Sequence, residues 1–116
     1  MGALTTHVLN TSTGQPGRAI RVQCLRDIPG AMPQRYPDTV TDGDGRAQLV
    51  AAEAMTPGVY EITFHVAEYF ATLGLALPDP PFLDRVTLRI GVADAGVKTH
   101  VPLLVSPWSY ATYRGS

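Results

Sequence analysis

Long apolar runs, paired cysteines and a surplus of either charge are all missing from this chain of 116 residues. No stretch approaches the roughly 18 consecutive apolar residues that cross a bilayer as a helix. The amino terminus, MGALTTHVLN, has no basic segment followed by an apolar one, so no secretory signal is visible. Cys24 is the single cysteine, which excludes an internal disulfide and a thiolate metal cage. It falls in the alternation Ile20, Val22, Cys24, the pattern of a buried, inert thiol rather than a nucleophile. Nine basic residues against ten acidic ones give a formal net charge of -1, without the basic face that nucleic-acid binding needs. These absences predict a soluble cytoplasmic domain with neither nucleic acid nor membrane as partner.

What is present is material for one core. Hydrophobic residues make up 45% of the chain and charged residues 16%, which argues against disorder and for one domain over residues 1–116. Eleven glycines and ten prolines punctuate short segments rich in Val, Thr, Leu and Tyr, the rhythm of an all-β domain. The pattern predicts strands over 4–10, 18–26, 37–41, 46–50, 58–66, 84–91, 99–105 and 110–114. Turn signals separate them: TGQPG at 13–17, DGDG at 42–45, TPG at 56–58 and DAG at 94–96. One stretch, 67-AEYFATLGLA-76, has helical spacing and predicts a short helix. About eight strands with one helix make a β-sandwich the expected class.

Alternation along the strands sorts side chains by face. In 99-THVPLLV-105, Val101, Leu103 and Val105 suit the core, and His100, Pro102 and Leu104 share the other face. Pro102 lacks a ladder donor and is expected at an edge or bulge. In 4-LTTHVLN-10, His7 opposes Leu4, Thr6 and Val8, and in 46-RAQLV-50, Arg46 and Gln48 oppose Ala47 and Leu49. His7, Arg46 and His100 are thus expected to project outward, where one sheet face can gather them. Two imidazoles, titrating near neutrality, and a permanently charged guanidinium suit proton transfer from water and stabilisation of a developing oxyanion. Taken singly, each has a plain structural reading; the combination carries the functional one. The histidines His7, His65 and His100 are scattered without H-x-H or H-E-x-x-H spacing, so no metal site is expected. No G-x-S-x-G elbow is present, and no helix follows DGDG to make a phosphate site of it.

Three segments, 4-LTTHVLNTSTGQPG-17, 39-TVTDGDGR-46 and 100-HVPLLVSPWSYATYRGS-116, carry a resemblance to the 5-hydroxyisourate hydrolase family, the transthyretin-related proteins of purine breakdown. The most specific is the terminal YRGS. The stretch GVYEITFHVAEYFATLG also resembles the family's strand followed by a short helix, so the likeness covers nearly the whole chain. The segment 78-PDPPFLDRVTL-88 departs from the family by carrying Phe82 and Leu83 in place of its usual aromatic-proline pair. The resemblance implies a transthyretin-like sandwich that opens the six-membered ring of 5-hydroxyisourate with water, yielding 2-oxo-4-hydroxy-4-carboxy-5-ureidoimidazoline. It implies His7 and His100 as the acid/base pair, leaving open which activates water, and Arg46 as the group that polarises substrate oxygens. Tyr113, Arg114, Gly115 and Ser116 become part of the pocket wall, and His65 is left structural. The same resemblance implies no metal or cofactor, and a homotetramer, a dimer of dimers with sites between dimers. The competing reading is a transthyretin-like carrier of a small ligand without catalysis, for which the fold alone would argue equally well.

Overall fold

In strand β1 (Leu4–Asn10), Leu4, Thr6 and Val8 are buried, while Thr5 and His7 are half-buried and Leu9 is exposed. That alternation repeats through a computed structural model that describes residues 2–116. The remaining strands are β2 (Gln15–Pro16), β3 (Arg21–Asp27), β4 (Gln34–Arg35), β5 (Thr39–Val40), β6 (Arg46–Val50), β7 (Gly58–Phe64), β8 (Val86–Val92), β9 (Thr99–Val105) and β10 (Tyr110–Thr112). They form two five-stranded sheets. In the first, β1 is central, paired in parallel with β9 and antiparallel with both β2 and β6, and β10 closes the far edge beside β9. In the second, β7 lies between β3 and β8, and β4 and β5 share the other side of β3. The sheets bury Val22, Ile62, Phe64, Leu88 and Leu103 between them, each such side chain contributing roughly 1.5–3 kcal/mol of hydrophobic stabilisation. Buried Thr6 is satisfied by donating its hydroxyl to the Val101 carbonyl at 2.6 Å.

The fold is the expected all-β sandwich with one helix, with corrections of boundary and count. The helix α1 (Val66–Thr72) buries Val66, Tyr69 and Phe70 at helical spacing. It ends before the predicted Ala76 because Gly74 takes a positive φ of 79°, a conformation that stops the helix. Strand β3 starts at Arg21, not at Arg18, because Ala19 turns through φ 60° and Ile20 donates its N–H to the Thr41 hydroxyl. The two-residue β2 and β4 were not predicted; β2 lies inside the stretch read as a TGQPG turn and folds back onto Leu9 and Asn10.

Pro102 stands in β9, an interior strand of its sheet, not at an edge. The N–H groups of even-numbered residues in β9 face β10, because the His100 carbonyl on that side accepts the Gly115 N–H at 2.8 Å. The donor that Pro102 lacks is therefore missing from the β9–β10 ladder, and β10 ends at Thr112 rather than at the predicted Arg114. The Thr112 hydroxyl takes up the Pro102 carbonyl at 2.7 Å, and pairing resumes as a single bridge between His100 and Gly115. Among the described residues no helix is long and apolar enough to cross a membrane.

Candidate functional site

Because β1 lies between β6 and β9, residues opposite one another form transverse rows on the outer face of the first sheet. One row runs Arg46, His7, Pro102; the next runs Gln48, Thr5, His100. The sheet thus gathers His7, Arg46 and His100 from three strands, as alternation predicted. Below the rows lies a polar cleft of about 230 Å³ lined by Thr5, Asp42, Arg46, Gln48, Lys98 and His100, among others.

The turn that delivers Arg46 is built by Asp42, whose Oδ1 accepts the backbone N–H groups of Asp44 and Arg46, each at 2.9 Å. Those bonds, the Arg46 N–H foremost, hold the Asp42 carboxyl below its usual range. Gly45 makes the turn possible: it has φ 78°, and a Cβ there would stand 2.5 Å from the Val8 carbonyl oxygen. Among the described residues no carboxylate forms an ion pair with Arg46, so its guanidinium is available to a ligand.

His100 is half-buried, with Nδ1 2.8 Å from the Thr5 hydroxyl. Burial pushes its pKa down from 6.5, and the positive charges of Lys98 and Arg46 act in the same direction. The imidazole is therefore neutral at pH 7 and able to accept a proton. Gly115 packs on the ring: a Cβ at that position would lie 2.6 Å from His100 Cδ2. Ser116 follows as an exposed residue. Tyr113 and Arg114 line a different space, an apolar groove of about 600 Å³ along β8 and β9 that also involves Ile90, Val92 and Val97. The structure thus brings His7, Arg46, His100 and Gly115 together within one chain, and turns Tyr113 and Arg114 toward that groove.

His65 belongs to the other sheet, ahead of α1. It is buried, its Nε2 bonded to Gln23 Oε1 at 2.8 Å and its Nδ1 to the Arg21 guanidinium at 3.2 Å. An amide oxygen on one nitrogen and a guanidinium on the other leave a neutral ring protonated at Nε2. Burial lowers its pKa, and the Arg21 charge adds to the effect. Cys24 is buried and its thiol is pushed up to about 12, as expected of an inert core residue. Among the described residues, no three His, Cys, Asp or Glu side chains converge as metal ligands would.

Sequence reasoning did not single out Thr5, Gln48, Lys98 or Asp42 as lining residues. The signal was parity: Thr5 precedes His7 by two, Lys98 precedes His100 by two, and Gln48 follows Arg46 by two, so each shares its neighbour's face.

Comparison with known proteins agrees with this architecture. A model of the HIUase/Transthyretin family matches residues 4–115. The chain is 52% identical to a 5-hydroxyisourate hydrolase of Ralstonia nicotianae, covering 100% of both chains. Among solved structures, an (S)-allantoin synthase superposes with a TM-score of 0.91 at 44% identity; the match takes in 99% of this chain but only 44% of that longer one. Sea bream transthyretin, solved with thyroxine, superposes with a TM-score of 0.86 at 21% identity over 97% of this chain and 94% of its own, a likeness of fold. The sandwich is transthyretin-like, and with a family match spanning the outer-face cluster and both sheets, the chain belongs to the HIUase/Transthyretin family.

Proposed function

We propose that this chain is a 5-hydroxyisourate hydrolase, adding water across a ring C–N bond of 5-hydroxyisourate to give 2-oxo-4-hydroxy-4-carboxy-5-ureidoimidazoline. The observation that carries the reading is the outer-face cluster of His7, Arg46 and His100, in a chain 52% identical over its whole length to a protein of that name. Neutral His100 takes a proton from water as it attacks the ring carbonyl. The unpaired Arg46 guanidinium stabilises negative charge building on the carbonyl oxygen. His7, in the same row as Arg46, returns a proton to the departing ring nitrogen. The groups used are side chains and water, with no metal or organic cofactor. A ligand-binding carrier has less need of this cluster, since two imidazoles beside a free guanidinium suit proton transfer better than retention of an apolar molecule.

The cleft of about 230 Å³ is smaller than the roughly 300–1,000 Å³ usual for small-molecule sites. A second copy laid over this face would deepen it and exclude water, strengthening the electrostatics inside. The family resemblance supports a homotetramer, a dimer of dimers with its sites between subunits, as the assembly that supplies this cover. Gly115 and Ser116 contribute to the walls, while Tyr113 and Arg114 line the neighbouring groove; the cytoplasm is the working compartment.

The test generates 5-hydroxyisourate freshly from urate and follows its ultraviolet absorbance. The protein is expected to speed the decay well above the spontaneous rate. His100→Asn and Arg46→Gln are expected to lose about 10²–10³ of that rate while keeping the wild-type mass by light scattering. Decay no faster than in buffer sinks the hydrolase reading; full activity in both variants sinks the site assignment.

A further inference from the structure

We infer that Thr5 is the positioning residue of His100: its hydroxyl accepts the Nδ1–H of the ring, which leaves the Nε2 lone pair facing the cleft as the base. The inference rests on the hydrolase reading and extends it to a residue outside the His7, Arg46, His100 set. Thr5 lies directly opposite His100 on the adjoining strand, and its hydroxyl is 2.8 Å from Nδ1. The Thr5 hydroxyl has no other hydrogen-bond partner among the described residues, whereas that of neighbouring Thr6 is committed to a backbone carbonyl. The ring is held on two sides. Thr5 meets Nδ1, and Gly115 closes on the Cδ2 edge, so Nε2 is the nitrogen left for substrate and water.

Geometry alone allows the hydroxyl to donate or to accept. The surroundings decide between them. The titratable and charged groups around the ring are Lys98 just ahead of its own strand, His7 from β1, Arg46 from β6 and Asp42 from the turn before β6. Lys98 and Arg46 are donors only, and of the Asp42 carboxylate the Oδ1 oxygen already accepts two backbone N–H groups. An Nε2–H would aim a donor into a cleft rich in donors, while an Nε2 lone pair complements it. The tautomer with hydrogen on Nδ1 satisfies both ends of the ring, and the Thr5 hydroxyl proton remains free for the cleft.

This arrangement also has a direction in pH. The Nδ1–H to Thr5 bond persists when Nε2 gains its proton, so it favours the imidazolium that forms during catalysis. Removing the acceptor must lower the pKa of His100, and the acid limb of kcat/KM must move to lower pH. Were the hydroxyl instead the donor, the neutral ring would carry its hydrogen on Nε2, and the hydroxyl would have to turn to accept the proton gained at Nδ1.

The experiment uses the full chain with fresh 5-hydroxyisourate as probe and compares Thr5→Val, which keeps the shape, with Thr5→Ser, which keeps the hydroxyl. Thr5→Val is expected to lose about 10- to 100-fold in kcat with KM changed less than about threefold, and its acid limb should shift downward. Thr5→Ser is expected to restore most of the rate and the wild-type pH profile. Nitrogen-15 spectra of the wild-type ring, which do not depend on turnover, should show hydrogen on Nδ1 above the His100 pKa. A ring protonated at Nε2, an upward shift of the acid limb, or an unaltered kcat in Thr5→Val overturns the inference. An inactive wild-type protein defeats the hydrolase reading instead, an outcome distinct from an active wild type whose Thr5→Val variant is equally active.

Discussion

At the scale of single residues, the site depends on close approach as much as on functional groups. Gly115 has no chemistry of its own, yet its missing side chain lets the terminal segment lie against the His100 ring. A methyl group there, 2.6 Å from Cδ2, must displace either the imidazole or the strand. Misplacing a catalytic group by about 1 Å costs on the order of 10² in rate. Gly115→Ala is accordingly expected to lower kcat/KM by about 10²-fold. Its urea midpoint should stay near wild type, because the residue joins the sheet by one bridge at an edge. Equal losses of activity and stability would show that Gly115 supports the fold rather than the ring.

At the scale of elements, the turn between β5 and β6 sets where Arg46 enters the sheet. Asp42 ties the turn to Arg46 from both directions, donating its N–H to the Arg46 carbonyl and accepting the Arg46 N–H on Oδ1, each at 2.9 Å. Gly45 is the position with no freedom, since its φ of 78° and its proximity to Val8 both exclude a side chain. Gly43, in the same turn, has open space around it and no positive φ. Gly45→Ala should therefore cost about 1–3 kcal/mol by urea denaturation and reduce activity through Arg46. Gly43→Ala should stay within about 0.5 kcal/mol of wild type. A similar cost at both positions would overturn this account of the turn.

At the scale of the whole molecule, a cleft on one sheet face needs a cover. Leu9 on that face and Val97, Trp108, Tyr110 and Tyr113 near the terminal strand are exposed apolar residues in the isolated chain. Such surface suits contact between copies of a symmetric oligomer. Light scattering should give four times the 12.4 kDa chain mass. The proposed tetramer, with its sites between subunits, predicts that on dilution specific activity falls together with that mass. Constant specific activity through dissociation would place the working site within one chain.

Much of this was legible in the sequence. Alternation in LTTHVLN, RAQLV and THVPLLV was enough to send His7, Arg46 and His100 outward, because the side-chain period of a strand is a local property of the backbone. Turn chemistry and composition marked the sandwich, and the Thr-Asp-Gly-Asp-Gly-Arg stretch marked the entry of β6. Strand neighbours were not legible. That Thr5 meets His100 across 95 positions follows from the parallel pairing of β1 with β9, and that pairing depends on many core side chains burying together. The same cause put Pro102 in an interior strand and cut β10 short, since the effect of its missing donor depends on which strand it faces. By itself the sequence determined which residues face outward; only the tertiary structure decided which of them touch, because register is a property of whole sheets packed on a shared core.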